Sequence, residues 1–265
     1  MLFVLIACCT FAQTNKDSSH FTQVTHIKTS LKHFTTDKLR QFYIVSPTNE
    51  LIKYSREGKE LFRYNNNWLG ELAIVDATNP FNLFLYYPEY MTVITLDRTL
   101  NETSTFNFFD LDLTDVRAVG MSNDNNIWLY DDLRFTLKKI DRQGNVLLES
   151  GNLNLTLGHR IAPNAIVERN NQVFINDPEN GILVFDNFAN YLQTLPLKNL
   201  EYFQVQEDLL SYQKDHSFRR FDLRSLLTYT IKIPEAGKKA QQIRIQDKHL
   251  YFSDKSGLWV FEKQP

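Results

Sequence analysis

The sequence predicts an all-β fold, and three observations support that prediction. Valine, isoleucine, phenylalanine and tyrosine are gathered in short runs, and turn-forming residues separate the runs at short intervals. No long stretch keeps the spacing of apolar residues that an amphipathic helix requires. Hydrophobic residues make up 43% of the 265 residues and aromatic residues 13%, which is ample for a packed core.

One pattern recurs six times and identifies the architecture. Each copy has an apolar residue, two further residues, a second apolar residue and usually an acid. The copies are LIKYS ending at Ser55, VITLD at Asp97, LKKID at Asp141, ILVFD at Asp186, FRRFD at Asp222 and LWVFE at Glu262. A repeat of about forty residues with several strands per unit is typical of β-propellers. The sequence therefore predicts a six-bladed β-propeller.

Further strand-like runs complete four-stranded blades. A second strand precedes each copy: FYIVS, LFLYY, IWLYD, VFIND, LLSYQ and LYFSD. First strands lie upstream of these: LKHFTT, LAIVD, VRAVGM, AIVER, YFQVQ and IRIQD. Fourth strands follow five of the copies: ELFRY, TFNFF, VLLES, YLQTL and LTYTIKI.

The last blade lacks a fourth strand before the sequence stops at Pro265, whereas FTQVTHIKTS from Phe21 precedes the first blade and belongs to none. We expect this N-terminal strand to complete the last blade, because ring closure removes an open sheet edge. The predicted propeller covers residues 21–265.

The turns follow from the residues between strands. In LKKIDRQGNVLL, from Leu137 to Leu148, Asp141 can bond downstream backbone and Gly144 can adopt the positive φ that a hairpin needs. The four repeated aspartates are predicted to start turns and bond local amides rather than to form a ring of carboxylates. They are Asp97, Asp141, Asp186 and Asp222.

The N-terminal MLFVLIACCTFAQ resembles a secretory signal. We predict a signal peptide over residues 1–12, cleaved before Gln13, a short linker over 13–20 and a periplasmic mature protein. Two alternatives stay open: a buried first strand, or a lipoprotein anchored through an acylated Cys8, since Leu5 to Cys8 resembles a lipoprotein box. Both cysteines lie in this leader, so the mature chain would have no disulfide, thiolate nucleophile or cysteine-ligated zinc.

Charge and hydropathy argue against nucleic acid as a partner and against a transmembrane segment in the mature chain. The 29 Lys and Arg residues against 31 Asp and Glu give a net charge of -2, without the basic field that attracts nucleic acid. After the leader, no apolar run is long enough for a transmembrane segment.

Two stretches carry a family resemblance. VFINDPENGILVFDNFANYL, from Val173, resembles an NHL repeat, the unit of many six-bladed propellers. DATNPFNLFLYYPEYMTVITLDRTLN, from Asp76, resembles a run found in exported, uncharacterised propellers of Bacteroidetes-type bacteria. The marks of WD40 and kelch repeats are missing. The resemblance implies a propeller, but its motifs are packing motifs without chemistry.

No motif predicts catalysis, a metal site or a cofactor. The six histidines lack paired spacing, and there is no calcium loop, nucleophile elbow or phosphate loop. Similar six-bladed propellers include lactonases that hold calcium at the central channel, so a calcium-dependent lactonase-type hydrolase is the alternative function. Its candidate ligands would be Asp76, Asn123, Asp124, Glu168 and Glu207.

The favoured hypothesis is a non-catalytic, rigid docking platform for another envelope protein, such as a component of outer-membrane assembly or of the type 9 secretion translocon. Several predicted turns carry residue types that dominate protein interfaces. The predicted partner-binding residues are Trp68, Tyr90, Arg134, His159 and Arg160, and Tyr87 and Phe135 are assigned to the same turns. Alternatively, some of these rings cover the blade tips.

Overall fold

The computed structural model of the protein describes residues 21–264. It contains six four-stranded antiparallel sheets, which confirms the six-bladed β-propeller. The predicted signal peptide, the linker and Cys8 lie outside the described residues.

The first strand, β1 (Phe21–Ile27), belongs to the last blade. Blade 1 contains β2 (His33–Thr36), β3 (Phe42–Val45), β4 (Leu51–Tyr54) and β5 (Glu60–Tyr64). Blade 2 contains β6 (Ile74–Asp76), β7 (Leu83–Tyr87), β8 (Thr92–Leu96) and β9 (Glu102–Asn107). Blade 3 contains β10 (Val116–Met121), β11 (Ile127–Asp131), β12 (Thr136–Ile140) and β13 (Val146–Glu149).

The second half of the ring repeats this order. Blade 4 contains β14 (Ala165–Arg169), β15 (Gln172–Asp177), β16 (Gly181–Asp186) and β17 (Tyr191–Leu195). Blade 5 contains β18 (Phe203–Gln206), β19 (Leu209–Lys214), β20 (Ser217–Asp222) and β21 (Thr228–Ile231). Blade 6 contains β22 (Gln242–Gln246), β23 (His249–Asp254), β24 (Gly257–Lys263) and β1.

Helical segments occur only in connections within the described part of the chain. They are the helix α1 (Leu153–Leu157) and the 3-10 turns Pro88–Tyr90, Phe108–Leu111 and Glu235–Lys239. None of the helices in residues 21–264 has the length and apolar character needed to cross a bilayer.

The N-terminal strand closes the ring as predicted. It pairs antiparallel with β24, from Phe21 opposite Lys263 to Ile27 opposite Leu258, with a bulge between Gln23 and Thr25. The sheet order β1-β24-β23-β22 makes β1 the outer strand of blade 6.

The repeated topology creates two faces. We call the upper face the one formed by the turns between second and third strands together with the connections between blades. The lower face contains the turns between first and second and between third and fourth strands. Because every blade has the same strand order, all turns of one kind lie on the same face.

The core lies between the blades. Six clusters of buried apolar side chains are present, and each joins two neighbouring sheets. Trp128, for example, is fully buried and packs between blades 3 and 4. Strands such as β11 are therefore buried along their whole length, whereas the outer strand β13 of the same blade is largely exposed.

The turn chemistry agrees with the sequence prediction. Asp141 Oδ1 accepts hydrogen bonds from the backbone N–H groups of Gln143 and Asn145, each 2.9 Å long, and Gly144 has φ of +86°. Each of the other repeated aspartates also accepts two local backbone N–H bonds: Asp97, Asp186 and Asp222. These acids are turn-starting residues on separate blades.

The Asp97 turn predicts a pH dependence. Hydrogen bonds from the Asn101 backbone N–H and the Thr99 hydroxyl lower the pKa of Asp97 to about 2, below the unfolded value of about 3.9. The carboxylate therefore stabilises the fold fully above about pH 4, and this contribution is lost as the pH falls towards 2. In Asp97→Asn the acceptor remains but the titration is removed, so melting temperature should fall less steeply between pH 5 and 2.5. The control is Asp110→Asn, since Asp110 is exposed; equal slopes in native protein and Asp97→Asn would contradict the assignment.

Candidate functional site

The five predicted partner-binding residues all lie on the upper face. Trp68 is in the connection between blades 1 and 2, and Tyr90 is in the turn between β7 and β8. Arg134 is in the turn between β11 and β12, whereas His159 and Arg160 follow α1 in the connection between blades 3 and 4. The structure thus groups them over the first four blades.

Trp68 and Tyr90 are exposed on ordered backbone. The backbone N–H of Trp68 donates to Asn66 Oδ1 at 3.0 Å, and 86% of Trp68 is exposed. The carbonyl of Tyr90 accepts bonds from Thr92 Oγ1 at 2.8 Å and Asn107 Nδ2 at 2.7 Å. Neither ring is required for these contacts, so each is free to contact a partner.

Two buried aspartates hold the arginines on blade 3. Asp132, whose side chain is fully buried, accepts bonds from Arg117 and Arg160, both at 2.9 Å. Asp131 accepts bonds from Arg134 Nη1 at 3.0 Å and from Lys138 Nζ at 2.7 Å. The three arginine side chains remain 45–60% exposed. Fixed guanidinium groups of this kind lose little freedom when they bind a partner.

The pKa of Asp131 reflects these contacts. Burial acts to raise it, but the bonds from Lys138 and Arg134 outweigh burial and hold the pKa below its usual value. Arg160 also stacks over the Phe135 ring at 5.4 Å from the ring centroid. Charge and ring together fix the orientation of Arg160.

Exposed apolar residues extend this surface. Within residues 21–264, the large, clearly exposed apolar residues of the upper face all lie between the blade 1–2 connection and the blade 3–4 connection. We call this set the upper-face arc, and it comprises Trp68, Tyr90, Phe109, Leu133 and Leu155, which are 86%, 51%, 52%, 61% and 84% exposed. The lower face also exposes apolar residues, namely Leu39, Phe81, Phe188, Leu226 and Leu227. The upper-face arc differs because it lies next to arginines that buried aspartates hold in place.

One sequence assignment is wrong and three residues were missed. Tyr87 is not a surface turn residue, because it ends β7 and is fully buried in the cluster between blades 1 and 2. The arc gains Phe109, Leu133 and Leu155, which the sequence did not single out. The sequence predicts that Phe109 ends the strand TFNFF, but that strand ends at Asn107 and a 3-10 turn exposes Phe109 beside the buried Phe108.

The central channel is bordered by the first strands of the blades. Glutamine side chains join neighbouring first strands there: Gln204 bonds both the N–H and the carbonyl of Ile245, at 3.0 and 2.8 Å. Gln242 does the same with Phe34, at 3.0 Å in both bonds. An amide side chain can replace a peptide group in this way, where two strands diverge too far for backbone pairing.

The acids considered for calcium binding have other partners or separate positions. Glu168 is buried and accepts bonds from Ser122, Asn123 and Trp128 of blade 3. Asp124 forms an ion pair with Lys139 at 2.7 Å. Asp76 accepts the backbone N–H groups of Thr78 and Met121, and Glu207 lies in an exposed turn. Asn123, the remaining candidate, is the partner of Glu168 already named.

No group of three or more His, Cys, Asp or Glu side chains in residues 21–264 is arranged to hold a metal ion. Of the candidate ligands for the hydrolase alternative, Asn123 and Glu168 bond each other, whereas the carboxylates of Asp76 and Asp124 are occupied by other partners. The upper-face arc is the candidate functional site that the exposed side chains of the described residues provide.

Comparison with known proteins supports the propeller fold through solved structures and finds no related family. No protein-family model matches the sequence, and no curated protein matches it. Similar solved structures include the WD40 domain of Neurospora crassa Pan2, with a TM-score of 0.67, 10% identity and coverage of 94% of this chain and 97% of that chain. Another is catalytically inactive virginiamycin B lyase from Staphylococcus aureus with quinupristin, with a TM-score of 0.62, 11% identity and coverage of 93% and 99%.

A third similar structure is the extracellular domain of a protein described as a hybrid two-component system of B. thetaiotaomicron. It has a TM-score of 0.58 and 12% identity, and the match covers 88% of this chain and 33% of that chain. At such identities the similarity shows the propeller fold alone. The fold is shared by a lyase and by an extracellular domain, so it does not by itself determine an activity.

Proposed function

We propose that this protein is a non-catalytic, exported propeller that serves as a rigid docking platform for another protein of the cell envelope. Its place of action is the periplasm, and its partner belongs to an outer-membrane assembly or type 9 secretion complex. The observation that carries the proposal is the upper-face arc, in which exposed aromatic and aliphatic residues lie beside fixed arginines. Tryptophan, tyrosine and arginine are the residue types that contribute most to interface energy.

Export is supported by the apolar leader and by the similarity to an extracellular propeller domain. Rigidity is supported by the closed ring and by six inter-blade clusters. A rigid surface binds with a smaller entropic cost than a mobile one.

Alanine substitution tests the docking surface. Trp68→Ala, Tyr90→Ala, Arg134→Ala, His159→Ala and Arg160→Ala should leave the melting temperature nearly unchanged, because their side chains are largely exposed. Asp132 would keep Arg117 when Arg160 is removed. At least one variant should capture the envelope partner more than tenfold less well, since an anchor is worth about 2 kcal/mol or more. Capture is measured by cross-linking and purification of tagged protein from its own envelope.

Matched controls lie on the lower face. Phe188→Ala removes a ring that is 65% exposed, and Arg142→Ala removes an exposed arginine, both in turns between third and fourth strands. Neither control should affect capture. If the controls lose the partner while all five upper-face variants retain it, docking takes place elsewhere and the proposed surface is wrong.

A further inference from the structure

Two cavities meet inside the ring on the side away from the upper-face arc. One is the central channel, with a volume of about 240 Å³, and the other is a mouth of about 730 Å³ at the lower face. Six residues line both cavities and so define their junction: Thr36, Thr78, Arg169, Gln204, Val205 and Arg244. Two of these are arginines and none is an acid.

The junction arginines reach across between blades without a carboxylate partner. Arg169 of blade 4 donates through Nη2 to Thr78 Oγ1 of blade 2 at 2.5 Å, and through Nη1 to the Glu168 carbonyl at 2.6 Å. Arg244 of blade 6 donates through Nε to Thr36 Oγ1 of blade 1 at 3.4 Å. Among the ion pairs formed by described arginines, none involves either residue.

Like charges make this arrangement costly. Burial lowers the pKa of Arg244 to about 10, and the charge of Arg169 acts in the same direction. Asp76 acts in the opposite direction, but its carboxylate already accepts the backbone N–H groups of Thr78 and Met121. Two guanidinium groups that line the same cavities, without a carboxylate from residues 21–264 bonded to either, favour an anion between them.

The mouth adds further positive charge. Arg220 lines it, and the Nε atom of Arg220 is buried without a hydrogen-bond partner. Lys38 also lines the mouth. Of the two acids there, Asp247 forms an ion pair with Arg40 at 3.0 Å and Glu207 lies in an exposed turn. The basic groups can attract an anion from solvent towards the junction.

The threonine hydroxyls complete the donor set. Thr36 Oγ1 and Thr78 Oγ1 each accept a bond from a guanidinium group, which leaves each hydroxyl proton available to donate. Behind the junction, the channel wall contains apolar side chains, including Ile74, Val119 and Phe203, and also polar ones, including His33, Asp76 and Glu201.

We propose that the ring binds a small amphipathic monocarboxylate, with its carboxylate between Arg169 and Arg244 and its hydrocarbon chain in the central channel. This site is separate from the upper-face arc and goes beyond the docking function. In this proposal the arginines bind the carboxylate and the channel binds the hydrocarbon chain. Each of these two interactions can be tested separately.

Calorimetric titration of the full-length protein with butyrate, hexanoate and octanoate tests whether the channel binds the hydrocarbon chain. Affinity should rise about fourfold with each methylene until the channel is full. Octanol, which lacks the charge, and inorganic phosphate, which lacks the chain, should both bind at least tenfold more weakly than octanoate. If phosphate or octanol binds as tightly as octanoate, or if octanoate does not bind, the proposal is overturned.

Substitutions test the arginines. Arg169→Gln and Arg244→Gln should each weaken octanoate binding at least tenfold, whereas Arg142→Gln, on an exposed lower-face turn, should bind like the native protein. If Arg244→Gln fails to fold, Arg169→Gln and the chain-length series still decide the question. Equal affinity in native protein and Arg169→Gln would refute the site. Trp68→Ala should retain full octanoate affinity, so failure of the docking proposal would be distinguishable from failure of this one.

Discussion

A chain shortened to begin after Ile27 should lose about 5 kcal/mol or more of stability and melt more than about 10 °C lower. The shortened chain lacks β1, which supplies the outer strand of blade 6 and its ladder with β24. It also loses the stacking of His26 on Trp259, whose ring centroids are 3.6 Å apart, and the packing of Phe21 and Ile27 against two inter-blade clusters. The exposed edge of β24 should in addition promote aggregation.

Thermal unfolding of the two chains gives the comparison, and a peptide supplied in trans gives the specific control. A synthetic peptide of residues 21–30 should raise the melting temperature of the shortened chain in a concentration-dependent manner, because it binds the folded state by strand addition. A peptide of the same composition in scrambled order should have no effect. A shortened chain that melts like the complete one would show that β1 does not close the ring.

Gly257, in β24, lies at the contact between β24 and β1. It has φ of +138°, and a Cβ atom there would lie 2.0 Å from the Ile27 carbonyl oxygen. Gly257 therefore allows β1 to approach β24, and the close approach explains why β24 begins with glycine.

The sequence was sufficient for the fold because the fold is built from local, repeated signals. LKKID combines a buried strand with an aspartate that starts the next turn, and both features depend on neighbouring residues. Asp97, Asp186 and Asp222 start turns in the same way after the equivalent strands. Closure by β1 could also be predicted, since it follows from one missing strand and one spare strand. Local chemistry and topology were enough in both cases.

The docking surface and the channel site were harder to predict from the sequence, because both depend on how separate blades are oriented in the ring. Trp68 and Arg160 could be placed in turns from residue type and position, but Tyr87, next to a turn, proved to be core. Arg169 and Arg244 belong to different repeats and meet only through the curvature of the ring. Nothing in AIVER or IRIQD indicates that the two side chains share one cavity.

Glu168→Ala should destabilise the protein by on the order of 3–5 kcal/mol, the second large effect that we expect. Glu168 accepts bonds from Ser122 Oγ and Trp128 Nε1, both 2.5 Å long, and from Asn123 Nδ2 at 2.9 Å. These bonds join blade 4 to blade 3, and both Glu168 and Trp128 are buried. Removal of the carboxylate would leave the Trp128 N–H and the Ser122 hydroxyl without an acceptor, at about 1–3 kcal/mol for each group.

Melting curves with and without calcium measure this effect and also separate the two functional hypotheses. Under the docking hypothesis, Glu168 is an inter-blade hydrogen-bond acceptor, so Glu168→Ala should melt about 10 °C lower than the native protein. Calcium should change the melting temperature of neither protein. Glu179→Ala, which removes an exposed acid from the same blade, should melt like the native protein. If Glu168 were a metal ligand, calcium would raise the melting temperature of the native protein but not that of Glu168→Ala. That result would show that the carboxylate serves a cation rather than Trp128, and it would favour the calcium-dependent hydrolase over the docking platform.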